Sequence, residues 1–285
     1  MVFSCECRPC NKEPDPNEPD GIFPSFFLND ERVRVANGKG AKNGSMQERP
    51  ETELEGGARY RGQWRGEKPH GIGLRTRLDG STYEGEFVGG KAHGVGVLMA
   101  KNGNCYEGQW EDDMAHGIGK YTHLDGSHYF GEWRLDAKCG KGKEKWADGS
   151  EYEGHFVQGV KDGDGTYWSS QGVTVFTGQF RNDKMHGIGT YNFADGRTFT
   201  GKWSDGHMEG QGAMRWPDGA RYVGAFRNDV RHGEGELIWP NGHTFKGQWV
   251  NGKQDGEGVV TDAHGRRKSG RWKKGDLVVE EEPSN

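Results

Sequence analysis

The chain has 285 residues and a net charge of −5; 31% of its residues are hydrophobic and 50 are glycine. So few aliphatic side chains cannot fill a thick globular core, yet an aromatic content of 11% is too high for a solvated, disordered polymer. The charge is too weak and too acidic to call for nucleic acid, and no apolar run reaches membrane-spanning length.

Residues 1–51 read as a mostly disordered leader. Its start, MVFSCECRPCNKEPDP, lacks the apolar core of a secretory signal, so a cytoplasmic location is the expectation. Cys5, Cys7 and Cys10 leave three readings open: an inert tail, reversible acylation, or a metal site that lacks a fourth ligand. The apolar island GIFPSFF, Gly21 to Phe27, reads as a cap over the first strand edge or as a docking peptide.

From Tyr60 onward one pattern recurs. A leading ring stands at Tyr60, Tyr83, Tyr106, Tyr129, Tyr152, Phe176, Phe199, Tyr222 and Phe245, each 23 residues after the last except for one step of 24. Glycine follows two positions later and a second ring four positions later, from Trp64 through to Trp249. That spacing has period two, so both rings and the glycine share one face of a strand. A turn of about five residues, a Gly-x-Gly and an Asp-Gly or Asn-Gly pair complete a hairpin. Glycines such as Gly62, Gly71 and Gly73 are expected to form a floor on which the rings lie, a known way to stabilise a strand glycine. The fold class predicted is all-β: an elongated single-layer antiparallel meander of stacked hairpins over residues 52–275, with 276–285 as an acidic tail. Each unit should advance the sheet by about 9.6 Å. Gly270 and Trp272 continue the pattern into a partial tenth unit, in which Lys268 takes the leading-ring position.

These residues resemble the MORN repeat, whose pattern is close to YEGEWxxGKxHGxGxxxxxDG, over about three quarters of the chain. The resemblance implies a stack of β-hairpins. It also implies settings such as radial spokes and flagella, protist cytoskeletal scaffolds, membrane-tethering junction proteins, a phosphatidylinositol phosphate kinase and a lysine methyltransferase.

No catalytic residues and no cofactor are assigned. Histidines at His70, His93, His116, His186 and His232 recur one per unit, too far apart to share a zinc ion. The same slot holds Cys139, Asp162, Glu209 and Asp255, which fits hydrogen bonding beside the turn. Walker, G-x-S-x-G, kinase and H-E-x-x-H signatures are all missing from the sequence. The chain is therefore expected not to be an enzyme.

Two surfaces are singled out. Trp146, Phe193, Trp216 and Trp239 stand four residues after the second glycine of their units, where earlier units carry Arg77, Ala100 and His123 and one unit carries Ser169. With Tyr167 and Tyr191 they form a candidate trough for a partner protein's helix or extended segment. Arg266, Arg267, Lys268, Arg271, Lys273 and Lys274 form a basic cluster that can attract anionic lipid, weakened by the acids that follow it. The leading expectation is a non-catalytic protein-interaction scaffold in a cilium, axoneme or cortical cytoskeleton. The alternatives are a membrane-associated adaptor binding phosphoinositides and the regulatory module of a phosphatidylinositol phosphate kinase. Nucleic acid is not an expected partner, and the oligomeric state is left open.

Overall fold

The computed structural model describes residues 45–281, and Cys5, Cys7, Cys10 and the GIFPSFF island lie outside them. These residues belong to one unit, Gly44–Asn285. They form a single sheet of 21 strands, numbered β1 to β21 in chain order. Each strand pairs antiparallel with its sequence neighbour, as between β1 (Met46–Glu53), β2 (Arg59–Arg65) and β3 (Lys68–Thr76). No helix is present among the described residues.

The turn inside each repeat is tighter than the spacing suggested, and the Asp-Gly turn that follows, Arg77–Ser81 in the first unit, is the longer one. β2 ends at Arg65 and β3 begins at Lys68, so Gly66 and Glu67 alone make the bend. The other residues of the expected longer turn join the strands, and the Gly-x-Gly expected to open the second strand lies at a bulge: Gly62 faces Gly73 and Trp64 faces Pro69, leaving His70, Gly71 and Ile72 opposite Gln63. Gly71 therefore is not part of the floor beneath the rings. It has a φ of +69°, the left-handed conformation that a bulge needs and that glycine adopts without strain. The Gln63 side chain closes the bulge by accepting the Ile72 N–H at 3.0 Å. Glu86, Gln109, Glu132, Gln179 and Gln248 accept the equivalent N–H in their own units.

The true floor is the other pair of glycines. A Cβ on Gly73 would stand 2.3 Å from the Tyr60 hydroxyl oxygen and 2.5 Å from its ring carbons. Tyr60 therefore lies across bare backbone, and its hydroxyl donates to the Gln63 carbonyl at 2.9 Å. The rings of successive units then interlock edge to face. Tyr60 contacts Trp64 at 5.3 Å and Phe87 at 4.9 Å between centroids, and Tyr83 contacts Phe87 at 5.0 Å and Trp110 at 5.1 Å. The zigzag runs unbroken to Phe245 and Trp272, whose centroids are 5.0 Å apart. T-shaped pairs of this kind add about 0.5–1.5 kcal/mol each beyond the area they bury. Trp110, Trp133, Trp203 and Trp249 also donate Nε1–H to the carbonyl of a glycine in the preceding unit.

Both ends extend past the expected limits. β1 starts at Met46, inside the expected leader, and β21 takes up Asp276–Glu281, the expected acidic tail. Each supplies hydrogen-bond partners to the outermost repeat strand, which would otherwise present an unpaired edge. β1 is rich in charge, and its register slips between Arg49 and Thr52, around Pro50, which has no N–H to give. Arg49 from β1 sits 4.7 Å from the Trp64 ring centroid and covers the end of the zigzag.

Candidate functional site

The ring face carries a second aromatic row beside the buried one. Trp146, Tyr167, Tyr191, Phe193, Trp216 and Trp239 are half-buried and pack against the core rings. Strand parity puts them there: Tyr167 in β11 (Val160–Trp168) pairs with Tyr152 in β10 (Glu151–Val157) and with Phe176 on the other side. Trp146 and Tyr167 stand 5.8 Å apart, and Tyr191 lies 4.6 Å from Phe193 and 5.8 Å from Trp203. Phe193, Trp216 and Trp239 sit where the chain leaves a strand for its Asp-Gly or Asn-Gly turn, and each takes part in the turn's backbone hydrogen bonds. In these turns the glycine alone takes positive φ, as at Gly149 and Gly219; the preceding residue works through its side chain. Asp148 Oδ1, for example, accepts Ser150 N–H at 2.8 Å and its hydroxyl at 2.6 Å. Those bonds hold Asp148 below the ordinary carboxylate range, and Asp79 and Asp125 are held down in the same way.

Cations line the opposite side of the ring row, a feature the repeat pattern did not reveal because their slot varies between units. Lys138 lies 4.9 Å from the Tyr129 centroid, Lys161 4.8 Å from Trp146, and Arg231 4.2 Å from Trp249. Lys138 pairs with Glu144, and Lys161 bridges Glu144 at 3.4 Å and Asp183 at 3.6 Å. Nearer the first repeat, in the slot that Tyr167 and Tyr191 fill in their units, Arg75 meets Asp113 at 2.7 Å. The core tyrosines sit among these groups as neutral hydroxyls. Burial raises Tyr60 and Tyr222 to about 12 and pushes Tyr83, Tyr106, Tyr129 and Tyr152 up as well.

At His70 and His186 the histidine slot joins one turn to the next, whereas the buried Nδ1 atoms of His93 and His232 have no hydrogen-bond partner among the described residues. Gly89 N–H donates to His70 Nδ1 at 3.3 Å and Asp205 N–H to His186 Nδ1 at 3.4 Å. Asp162, Glu209 and Asp255 accept from Asn182, Asn228 and Lys274 in the same manner. Among the described residues, no three His, Cys, Asp or Glu side chains gather into a metal-sized cluster.

The basic cluster is divided rather than gathered. β20 (Arg267–Lys273) turns Arg267, Arg271 and Lys273 to one face and Lys268 to the ring face. Lys268 pairs with Glu280 at 2.7 Å, Arg266 pairs with Asp262 at 2.5 Å, and Lys274 lies in the last turn, where its N–H meets Asp255. No helix among the described residues is long and apolar enough to cross a membrane.

Comparison with known proteins agrees with this architecture. The MORN repeat profile matches residues 60–82, 83–105, 106–128, 129–151, 152–174, 176–196, 199–221, 222–244 and 245–265. No curated protein matches the chain. Among solved structures, the wild-type TCP10 domain of Danio rerio CPAP is 12% identical, with 76% of this chain and 96% of that one covered at a TM-score of 0.29. The SAS-4 (dCPAP) TCP domain of Drosophila melanogaster, in complex with a proline-rich motif of Ana2 (dSTIL), is 12% identical over 71% of this chain and 85% of that one, TM-score 0.20. Virginiamycin B lyase from Staphylococcus aureus is 11% identical over 79% and 87%, TM-score 0.15. Similarity this low carries no argument about function. Nine matched units in tandem do identify the lineage: the chain belongs to the MORN-repeat family.

Proposed function

We propose that the chain is a non-catalytic scaffold that binds a helical or extended segment of a partner protein along its second aromatic row. The observation that supports this is the half-buried state of Trp146, Phe193, Trp216 and Trp239 beside a core that is already complete. The buried zigzag holds the sheet together; rings left partly in water next to it are the kind of residue that anchors a protein interface. A regular sheet also presents such anchors at fixed separations, which suits a cytoskeletal or ciliary assembly, the setting that the family resemblance implies.

Partner recovery from the native cell by the wild-type chain and by Trp216→Ser/Trp239→Ser tests the proposal. The reading requires loss of partners from the variant while its unfolding transition stays cooperative. Unchanged recovery contradicts it. Flotation with anionic liposomes at two salt concentrations addresses the lipid-adaptor alternative, since binding through the basic end must weaken as salt rises.

A further inference from the structure

We propose that the cavity between Trp146 and Tyr167 is a guanidinium notch, which takes an arginine side chain of the segment docked on the aromatic row. The inference rests on the docking role proposed above and names the chemistry of one anchor point. The cavity is an open cleft of about 410 Å³, with Trp146, Tyr167 and Phe180 among its ring residues and Lys161, Asp148 and Asp183 as its charged lining. It lies at the irregular repeat. Ser169, two residues beyond Tyr167, stands where neighbouring units carry Trp146 and Phe193, and the one-residue insertion follows within the same unit. The row therefore has a gap beside the cavity.

The lining fits a flat cation. Trp146 and Tyr167 are inclined at 60°, so a planar group resting on one ring meets the edge of the other. The site already holds a cation against its rings, since Lys161 Nζ lies 4.8 Å from the Trp146 centroid and 5.3 Å from that of Tyr152. That charge is answered within the fold by Glu144 and Asp183. Asp148 joins Asp183 as the second carboxylate of the lining itself. Its Oδ1 accepts both the Ser150 N–H and the Ser150 hydroxyl. Two carboxylates against one ammonium leave the lining with a negative balance. A guanidinium stacks on an indole and pairs with carboxylates through its planar fork, whereas a compact, strongly hydrated ammonium gains less from both.

The test is a titration of the full-length, 15N-labelled chain with the peptide acetyl-Gly-Arg-Gly-amide and with its lysine and citrulline counterparts. The Trp146 indole N–H resonance, assigned from Trp146→Phe, is the readout. The arginine peptide should give a saturable shift, the lysine peptide one about fivefold weaker, and uncharged citrulline none. Asp148→Asn and Asp183→Asn should each weaken arginine binding about threefold. Asparagine keeps an oxygen for Ser150 N–H and for Lys161 N–H, so neither turn is lost. An equal shift with citrulline, a shift confined to the Trp216 or Trp239 indoles, or no saturation would overturn the notch. If Trp216→Ser/Trp239→Ser abolishes partner recovery while the arginine titration is flat, the notch alone fails; the reverse pattern removes the docking row and leaves a guanidinium site.

Discussion

Tyr152 and Trp146 project from the same face of the sheet, only a few residues apart, and they are held in different ways. Tyr152 is fully buried, lies over Gly154 and Gly165, and meets Phe156 and Phe180 edge to face at 5.3 and 5.1 Å. Trp146 is half-buried at the edge of the core, where it pairs with the Tyr167 ring at 5.8 Å and with the Lys161 ammonium at 4.8 Å. The first row recurs in every unit with glycine beneath it. The second is irregular: Tyr121 opens it in the third unit, Trp146 extends it, Ser169 interrupts it, and it has no glycine floor of its own. Rings that a fold cannot do without are fixed by backbone geometry. Rings without that support are free to vary from unit to unit.

Several substitutions and conditions separate the two rows, and alkali should have the largest effect. The core tyrosines ionise near pH 10 when unfolded, whereas Tyr60 and Tyr222 hold their protons to about 12 in the fold. Their contribution is complete below pH 10 and disappears as pH rises through about 12, because only the unfolded chain releases the protons readily. Tyrosinate absorbance near 295 nm should therefore rise together with loss of the aromatic circular dichroism signal in that window. Early, independent ionisation would place the first row nearer to water than the structure does.

Next in size is Tyr152→Ala. It should cost about 3–5 kcal/mol in chemical denaturation, since a large buried ring leaves a gap that the two adjoining strands cannot close. Because each repeat contacts only its neighbours, hydrogen exchange should rise most in β10, β11 and the strands next to them. Trp239→Ser removes a ring of similar bulk from the second row and should cost only about 1 kcal/mol. Equal costs for the two would erase the distinction. Tyr152→Phe should be among the mildest, about 1 kcal/mol for the lost hydroxyl bond to the His155 carbonyl at 3.2 Å. Phe176, Phe199 and Phe245 already occupy the leading position without that bond.

The first row was legible in the sequence because a period of two within a strand and a fixed repeat between hairpins each leave a mark that can be read position by position. The ring positions from Tyr60 to Phe245 and the floor glycines Gly62 and Gly73 could be read directly. The bulge could not: Gly71 and Gly73 look alike in a Gly-x-Gly, and only backbone φ separates a left-handed joint from a ring support. A usable signal was present in the Gln or Glu that stands between the floor glycine and the second ring in most units, since a side chain so regular has a regular task. The end strands β1 and β21 carry no repeat signature and form because an outermost strand offers unpaired backbone. Of the candidate site, the aromatic residues and their common face were visible, whereas the notch was not. Its walls come from Trp146, Tyr167 and Phe180, in three different hairpins, and its cation from a slot filled by Pro69, Ala92, Ala115, Lys138 and Lys161 in successive units.

The most direct test of ring on bare backbone is a double-mutant cycle between Gly165 and Tyr152. A Cβ at Gly165 would stand 2.4 Å from the Tyr152 hydroxyl oxygen, and the nearest atoms it meets all belong to that ring. Gly165→Ala should therefore cost about 1–3 kcal/mol when Tyr152 is present. In the Tyr152→Ala background it should cost nothing, or stabilise slightly by restricting the unfolded chain. The same penalty for alanine in both backgrounds would mean that the ring does not rest on the glycine, and the structural basis of the first row would be wrong.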